Sequence, residues 1–527
     1  MAKRSKKGCL YASIVWIIII GILSVAAKFY ILPYFQKELE DETSSSAKYE
    51  NEIVIAADTF SGYCVLRSSE MKEELKEQGI RLRIEDDGAD YQARMENLKN
   101  HKTNMAVFTV DSFIVSGAKL GEFPATIVMV IDETKGADAL VSYKSVVNNL
   151  EDLDSAEAGI VLTPQSPSEF LSRTVIAHFN LPNLPEKWWI EADGASDVYN
   201  KFKNSDKSKK YAYALWEPYV SKALELPDAH LLLDSSKLKG YIVDILVAER
   251  KFLRDNPDLV KKVMEAYLRA AYSYNQKQDG MKSLVMNDAG ETGSESLSGD
   301  QAEKLVRGIE WKNTLENYVY FGLLSDQKSK MNMLHMEDII INIMDVLLKT
   351  DAIPKDPVEG KYNTLYYDKT LKEIQASNFH PGRKINLIKD AGIADPEFEK
   401  IRTGVKLLEL KDDDWNKLIP VGKMRVDPIS FARGTSRLHI QSERNLNNLA
   451  KHLEAWSQYY LIVSGHSRAE GDAEANLKLA QARADTVADY LISKGVDKIR
   501  INAKADTPSE GGGELQSVSF VLGQMPY

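Results

Sequence analysis

The chain has 527 residues, which is too long for one hydrophobic core and predicts two or three domains. Its formal net charge of −10 at pH 7 argues against a general nucleic-acid-binding role. Only two cysteines are present, Cys9 beside an apolar run and Cys64 well beyond it, so we expect no disulfide to stabilise the fold.

The N-terminus has the pattern of a membrane anchor. A basic leader at residues 1–8 precedes an uncharged stretch from Cys9 to Ala27, which as a helix is about 28 Å long and crosses a hydrocarbon core, so we expect a transmembrane anchor at residues 9–28. Because the basic cluster stays in the cytoplasm, we expect a single-pass inner-membrane protein with its bulk in the periplasm. A cleaved signal peptide is the alternative, since residues 24–28 (SVAAK) include small side chains. Residues 36–52 are polar, charged and Ser-rich, as in a solvated spacer, and we expect a linker at residues 29–50.

Strand and helix patterns then alternate along the chain. A strand pattern at residues 51–58 precedes a helix pattern at 68–79, and a second strand pattern follows at 80–88. Further strand patterns occupy residues 105–113, 125–132, 139–144 and 158–164. This order predicts βαβ units and an α/β fold with a parallel sheet.

Polar turns follow several of these strands. Ligands of open α/β sheets bind beyond the carboxyl ends of the strands, so these turns are candidate binding segments. In the turn at 163–168, Ser166 is a predicted N-cap, Pro167 the first helical residue and Glu169 the reciprocal cap. The exposed amides at such a helix start favour an anionic ligand, although a well-capped helix without a ligand has the same pattern.

Three segments carry a family resemblance. They are AYALWEPYVSKALE (212–225), GYIVDILVAERKFLRDNPDLVKKVMEAYLRAAYSY (240–274) and KGADALVSYKSVVNNLEDL (135–153). Together they resemble periplasmic solute-binding proteins of the nitrate/sulfonate/taurine type, which are relatives of thiamine-precursor synthases. The resemblance implies two α/β lobes over residues 51–375, crossing strands near residues 139–143 and 241–246, and a ligand clamped by hinge closure.

The ligand residues are predicted from the positions of the turns between the lobes. We expect a pocket formed by Thr59, Ser61, Thr109, Gln165, Ser166 and Trp216. Trp216 precedes the Glu217–Pro218 dipeptide, and an aromatic residue there serves equally well as a core residue. The turn hydroxyls and the helix start indicate an anion, but many neutral solutes use the same groups.

Catalysis and cofactors are not predicted. The thiamine-precursor enzymes are marked by clustered cysteine and histidine, whereas Cys64 is the one cysteine here beyond the anchor region. The chain lacks the GxxxxGK[ST], HExxH and GxSxG motifs, and its eight histidines show no metal-ligand spacing. We therefore expect no enzyme activity, no cofactor and no bound metal.

A smaller domain is predicted at residues 410–527, after a linker at 376–409. An amphipathic helix at 442–456, a strand at 459–465 and a second helix after residue 472 predict an α+β layer of helices on one sheet. The stretch SGHSRAEGDAEANLKLAQARADTVADYL (464–491) resembles the OmpA-like peptidoglycan-associated domain.

That resemblance implies peptidoglycan binding, with one departure. In the family an aspartate holds the ammonium of the diaminopimelate residue and an arginine holds its carboxylate. Arg483 matches the arginine and Asn476 matches an asparagine near the peptide, but Arg468 stands where the aspartate belongs. A guanidinium repels an ammonium, so either Glu470 or Asp472 supplies the carboxylate, or the domain binds a more anionic feature, or it has lost its ligand.

These observations lead to one preferred function and one alternative. The preferred function is a membrane-anchored periplasmic protein that captures a small solute for an ABC-type importer and contacts the cell wall. The alternative is a structural or sensing protein that links the inner membrane to peptidoglycan without transport. Loss of uptake of one solute on deletion would indicate the first, and altered envelope integrity with normal uptake would indicate the second.

Overall fold

A computed structural model describes residues 49–293, 297–324, 333–383, 407–466, 471–506 and 518–525. The leader and the predicted anchor at residues 9–28 lie outside these ranges. Among the helices within them, none is both long enough and apolar enough to cross a bilayer.

The first lobe is built on a six-stranded sheet with the strand order β11-β4-β10-β3-β1-β2. Numbered in chain order, its strands are β1 (Asn51–Ala56), β2 (Ile80–Glu85), β3 (Met105–Thr109), β4 (Ala125–Thr134), β10 (Val243–Glu249) and β11 (Ile309–Trp311). Strand β1 pairs in parallel with β2 and β3, as the alternation of strands and helices predicts. Strand β10 returns from the second lobe and lies antiparallel between β3 and β4.

The second lobe is built on a five-stranded sheet with the order β7-β6-β8-β5-β9. Its strands are β5 (Asp138–Tyr143), β6 (Gly159–Leu162), β7 (Trp189–Glu191), β8 (Tyr211–Trp216) and β9 (Ala229–Asp234). Strands β5, β6 and β8 are almost entirely buried, because helices cover the sheet.

Helices surround both sheets. Those that precede the second lobe are α1 (Cys64–Arg67), α2 (Ser69–Glu77), α3 (Tyr91–Lys99) and α4 (Val110–Leu120). Those of the second lobe are α5 (Pro167–His178), α6 (Gly194–Lys203) and α7 (Tyr219–Leu224). Those that follow it are α8 (Arg250–Asp255), α9 (Pro257–Gln276), α10 (Gly280–Glu291), α11 (Gly299–Gly308), α12 (Thr314–Tyr320), α13 (Met336–Lys349) and α14 (Lys369–Ala376).

Two short segments connect the lobes, at residues 135–137 and 235–242. The first lies just before the predicted crossing at 139–143, which instead forms β5 and is hydrogen-bonded to β8 and β9 within the second lobe. The second overlaps the predicted crossing at 241–246, whose later residues belong to β10. Gly136 supplies a positive φ of 106° in the first crossing, a conformation that a glycine adopts without strain.

The C-terminal domain has its own sheet, with the order β12-β15-β13-β14. Its elements are α15 (Asp412–Trp415), β12 (Ile419–Lys423), α16 (Ile440–Ala455), β13 (Tyr460–His466), α17 (Ala473–Ser493), β14 (Ile501–Asp506) and β15 (Val518–Gln524). Helix α17 packs on the sheet through Ala480, Ala484, Val487 and Leu491, which recur at helical spacing and are buried. Two α/β lobes and an α+β domain agree with the predicted fold class.

This domain docks on the second lobe instead of hanging freely from it. Trp456, at the end of α16, is fully buried, with ring centroids of Phe179 and Tyr241 at 5.5 and 6.2 Å. The backbone amide of Asn180 donates to the carbonyl of Lys423 at 2.9 Å, so hydrogen bonds also cross the interface. Because Tyr241 belongs to the second crossing, the domain rests against the segment that joins the lobes.

Candidate functional site

A cleft of about 580 Å³ lies between the lobes. The first lobe contributes the turn after β1, which includes Phe60 and Tyr63, and the second contributes the turns after β6 and β8, which include Gln165 and Trp216. A volume of this order is typical of small-molecule sites. The turns at the carboxyl ends of the strands therefore face each other across one cavity.

Five of the six predicted ligand residues line this cleft: Thr59, Ser61, Gln165, Ser166 and Trp216. Thr109 does not, because it is only 1% exposed and its hydroxyl donates to Ser112 Oγ at 2.8 Å. Thr109 is the N-cap residue of α4, and its side chain turns back to the first turn of that helix.

The Ser166 half of the predicted cap of α5 is present, whereas Glu169 bonds the amide of Gln165 instead of the amide of the N-cap residue. Ser166 Oγ accepts a hydrogen bond from the amide of Glu169 at 3.1 Å, and Pro167 is the first helical residue. Glu169 Oε2 accepts from the amide of Gln165 at 2.5 Å, and Glu169 Oε1 pairs with Arg173 at 2.7 Å. Two donors close to this helix start, the amide of Gln165 and the guanidinium of Arg173, are thus already bound to a carboxylate of the chain itself.

The cleft is lined by carboxyl groups that the sequence analysis did not single out. They are Asp58, Asp86, Asp138, Asp193, Glu217 and Asp244. Asp58 and Glu217 closely follow strands that run toward the cleft, so their positions in the sequence could have identified them as candidate ligand residues. Asp138 and Asp244 begin strands that leave the crossings, and a rule based on strand carboxyl ends overlooks them.

Asp244 lines the cleft and lies beside a second, fully buried carboxyl group, that of Asp132. It is the register partner of Asp132 on the neighbouring antiparallel strand, and the hydroxyl of Tyr63 donates to it. Burial raises the pKa of Asp132 to about 7, and burial with the adjacent charge of Asp132 raises the pKa of Asp244 well above its usual range. The ligand-free pair therefore retains a proton near neutral pH.

Asp138 lies at the second-lobe end of the first crossing and is 3% exposed. Its Oδ1 accepts a hydrogen bond from Ser168 Oγ at 2.8 Å. Burial raises the pKa of Asp138 to about 6, although the hydroxyl donors partly offset this effect.

Asp58 is the cleft carboxylate with a cationic partner. The buried guanidinium of Arg94 lies 3.1 Å from Asp58 Oδ2 and also pairs with Asp87. Arg94 further donates to the carbonyl of Val107, so its position is set by three partners. The ion pair holds the turn after β1 against α3.

Cys64 shows no features of a catalytic thiol. It is fully buried, and this burial raises the pKa of its thiol well above the usual value. Among the described residues, no group of three or more His, Cys, Asp and Glu side chains is arranged to hold a metal ion.

The candidate wall-contact residues lie on α17. Asn476 and Arg483 are two turns apart, about 10.5 Å along the helix axis. Arg483 Nε donates to the carbonyl of Thr435 at 3.1 Å, and its guanidinium carbon is 5.1 Å from the ring centroid of Phe431. Arg468 lies outside the described residues.

One proposed substitute for the missing aspartate already has a structural role. Asp472 is the N-cap of α17, and its Oδ1 accepts from the amides of Glu474 and Ala475 at 3.0 and 3.1 Å. Glu470, the other candidate, lies outside the described residues. Use of Asp472 as a ligand carboxylate would therefore compete with the helix cap.

Two family models match the chain. Residues 74–279 match the model described as NMT1/THI5 like, and residues 430–511 match the OmpA family. The two matches fall on different parts of the chain, the first within the two lobes and the second within the C-terminal domain.

Relatives of known sequence match the C-terminal domain. The peptidoglycan-associated lipoprotein of Mesorhizobium japonicum is 35% identical over 75 residues, which are 14% of this chain and 45% of the lipoprotein. The peptidoglycan-associated lipoprotein of Buchnera aphidicola is 30% identical over 105 residues, which are 20% of this chain and 60% of that lipoprotein. The chain therefore spans about half the length of the lipoproteins that it matches.

Solved structures match the two lobes. The periplasmic aliphatic sulphonate binding protein SsuA from Escherichia coli aligns with a TM-score of 0.45 and 14% identity, over 61% of this chain and 99% of its own. The periplasmic nitrate-binding protein NrtA from Synechocystis aligns with a TM-score of 0.45 and 12% identity, over 62% of this chain and 88% of its own.

Proposed function

We propose that this chain is a cell-envelope solute-binding protein whose two lobes close on a small solute and present it to an ABC-type importer. The observation that carries the proposal is the cleft of about 580 Å³ lined by turns of both lobes. Two short crossings join the lobes, so a small rotation about residues 135–137 and 235–242 changes the width of the cleft. A solute that contacts both lobes favours the closed state.

A ligand screen tests this proposal. The full chain is heated with individual oxyanions, sulfonates, amino acids, amines and pyrimidines, and the melting temperature is recorded. A solute at about 100 times its Kd stabilises the folded state by about 2.7 kcal/mol. One chemical class that raises the melting temperature supports the proposal, whereas no shift with any class contradicts it.

We further propose that residues 9–28 anchor the protein in the inner membrane. The uncharged run after a basic leader supports this proposal, and tethering would keep the receptor near an importer at a raised effective concentration. Protease added to intact spheroplasts should degrade the bulk of the chain. Protection of the whole chain would exclude a periplasmic position.

Contact with peptidoglycan is proposed for the C-terminal domain. The match to the OmpA family and to peptidoglycan-associated lipoproteins supports it, and so does the position of Arg483 on α17. Co-sedimentation of the purified chain with sacculi measures this contact directly.

A structural or sensing role is the second candidate. The observation that favours it is the docking of Trp456 against Tyr241, which would couple the C-terminal domain to the crossing between the lobes. Deletion of the gene distinguishes the two roles. Loss of uptake of one solute supports transport, and altered envelope integrity with normal uptake supports the structural role.

A further inference from the structure

The charges of the cleft point to the chemical class of its ligand. Six carboxyl side chains line the cleft, and the described lining residues include no lysine, arginine or histidine. A buried site with this charge distribution repels an anion and attracts a cation.

Most of these carboxyl groups have no counter-ion within the described part of the chain. Asp58 pairs with Arg94, whereas Asp138 accepts from the hydroxyl of Ser168 and Asp244 from that of Tyr63, with no cationic side chain of the described residues paired to either. Glu217, at the rim, is held by the amide and the hydroxyl of Ser221. Ionised carboxylates that are buried without a cation are costly, and a bound cation would remove that cost.

Asp132 provides an independent observation. Its side chain is fully buried, and neither of its oxygens accepts a hydrogen bond from an amide, hydroxyl or ammonium group of the described residues. Its register partner is Asp244, which lines the cleft. The one nearby cation, Lys312, is 3.1 Å from Glu133 and 3.3 Å from Glu310. Among the described residues, no cationic side chain forms an ion pair with Asp132 or Asp244.

Aromatic rings line the cleft from both lobes. Phe60 belongs to the first lobe and Trp216 to the second. The ring of Tyr91 is already covered by Arg94 at 4.8 Å, and that of Tyr219 by Lys222 at 4.5 Å. Aromatic faces beside carboxylates are the usual means by which proteins hold organic ammonium groups.

Two of the donors on which the anion-binding alternative would rely are already used. Near the start of α5, the amide of Gln165 is bound by Glu169, and Arg173 is paired with the same carboxylate.

We propose that the solute is a small organic cation whose ammonium group is held between Asp138 and Asp244, with Phe60 and Trp216 on either side. This inference rests on the proposed solute-binding function and names its ligand class. Closure of the lobes brings a carboxylate and an aromatic ring from each lobe onto one cationic group.

The test is calorimetric titration of the full chain with matched probes. Choline, putrescine and agmatine are compared with methanesulfonate and nitrate, and choline is also compared with dimethylbutanol, its uncharged isostere. We expect at least one amine to bind, and neither the anions nor dimethylbutanol to bind measurably. Magnesium and calcium chloride are titrated as well, and binding of a metal ion alone would contradict the organic-cation proposal.

Variants assign the binding to the cleft. Asp138→Asn and Asp244→Asn should each weaken amine binding about tenfold or more, because a charged hydrogen-bond partner is lost. Glu217→Gln, at the half-exposed rim, serves as a variant that leaves the buried core unaltered and should weaken binding less. Asp255→Asn, an exposed acid at the end of α8, is the matched control and should bind normally.

The outcomes separate this inference from the proposed function. Binding of an anion or a neutral solute in the cleft would overturn the cation assignment and leave the solute-binding function intact. Unchanged amine affinity in all three cleft variants would also overturn the assignment. If no solute of any class binds, both proposals are wrong.

Discussion

Asp132 and Asp244 are register partners on the antiparallel strands β4 and β10, and Asp244 lines the cleft with the fully buried Asp132 beside it. Strand β4 leads into the first crossing and β10 follows the second. The pair therefore lies close to the ends of both connections between the lobes.

Replacement of Asp132 by Asn should stabilise the ligand-free chain at alkaline pH. The pKa of Asp132 is raised from 3.8 to about 7, so the folded state loses stability as pH rises between those values. The groups that face Asp132 are Asp244, Glu133, Asp138 and Lys312. Asp132→Asn removes the cost of ionisation, and we expect a gain of about 1–3 kcal/mol at pH 8 and little gain at pH 4.

Thermal denaturation at the two pH values measures this effect. Asp255→Asn is the control, since that side chain is exposed and should show no such difference. Equal destabilisation of Asp132→Asn at both pH values would contradict the assignment of a shared proton to the acid pair.

Choline affinity should increase about tenfold between pH 5 and pH 8, because choline does not titrate and the cleft acids do. Burial raises the pKa of Asp138 to about 6. Hydrogen bonds from the hydroxyls of Ser168 and Thr134 offset part of this rise. Binding of a cation requires the ionised form, so protons should be released on binding below pH 7. Calorimetry in two buffers of different ionisation enthalpy measures the protons released, and a pH-independent affinity would exclude these acids from the site.

Trp216→Ala should weaken binding of choline about tenfold, as expected for loss of one aromatic face next to a desolvated cation. Trp216→Phe keeps an aromatic ring and should retain most of the affinity. If Trp216 is only a packing residue, both variants will alter the melting temperature without changing the affinity. Titration measures the affinity and thermal denaturation measures the melting temperature, so the two roles can be distinguished.

Trp456→Ala should loosen the C-terminal domain from the second lobe. The ring is fully buried against Phe179 and Tyr241, and truncation of a buried tryptophan costs about 3–5 kcal/mol. We expect a separate, earlier unfolding transition by calorimetry and faster proteolysis between the domains. Trp415→Ala is the control, because Trp415 packs on Tyr460 within the C-terminal domain.

Arg483→Ala should reduce co-sedimentation with sacculi about tenfold, because the arginine is the match to the carboxylate-binding residue of the family. Arg444→Ala, which removes an exposed arginine of α16, is the matched control. Arg468→Asp should strengthen the same binding, since it restores the expected carboxylate. If Arg468→Asp has no effect, the interpretation of the reversed charge is wrong.

Part of the site was predictable from local pattern. Thr59, Ser61, Gln165, Ser166 and Trp216 follow strands, and the ends of parallel strands meet at one edge of a sheet. Thr109 obeys the same rule, but it is buried at the N-cap position of α4 and its hydroxyl donates to Ser112 Oγ instead of facing the cleft. The position of a residue at the end of a strand does not reveal whether its side chain faces the cavity or bonds to the helix that follows.

The sequence by itself determined the order of elements and the α+β character of the C-terminal domain, because hydrophobic periodicity and helix caps depend on neighbouring residues, whereas the division into two lobes was expected from the family resemblance. Only the tertiary structure decided the charge of the cleft. Asp58, Asp138 and Asp244 are far apart in sequence, and the return of β10 between β3 and β4 brings them around one cavity. The docking of Trp456 on Tyr241 likewise depends on long-range packing, which local periodicity does not encode.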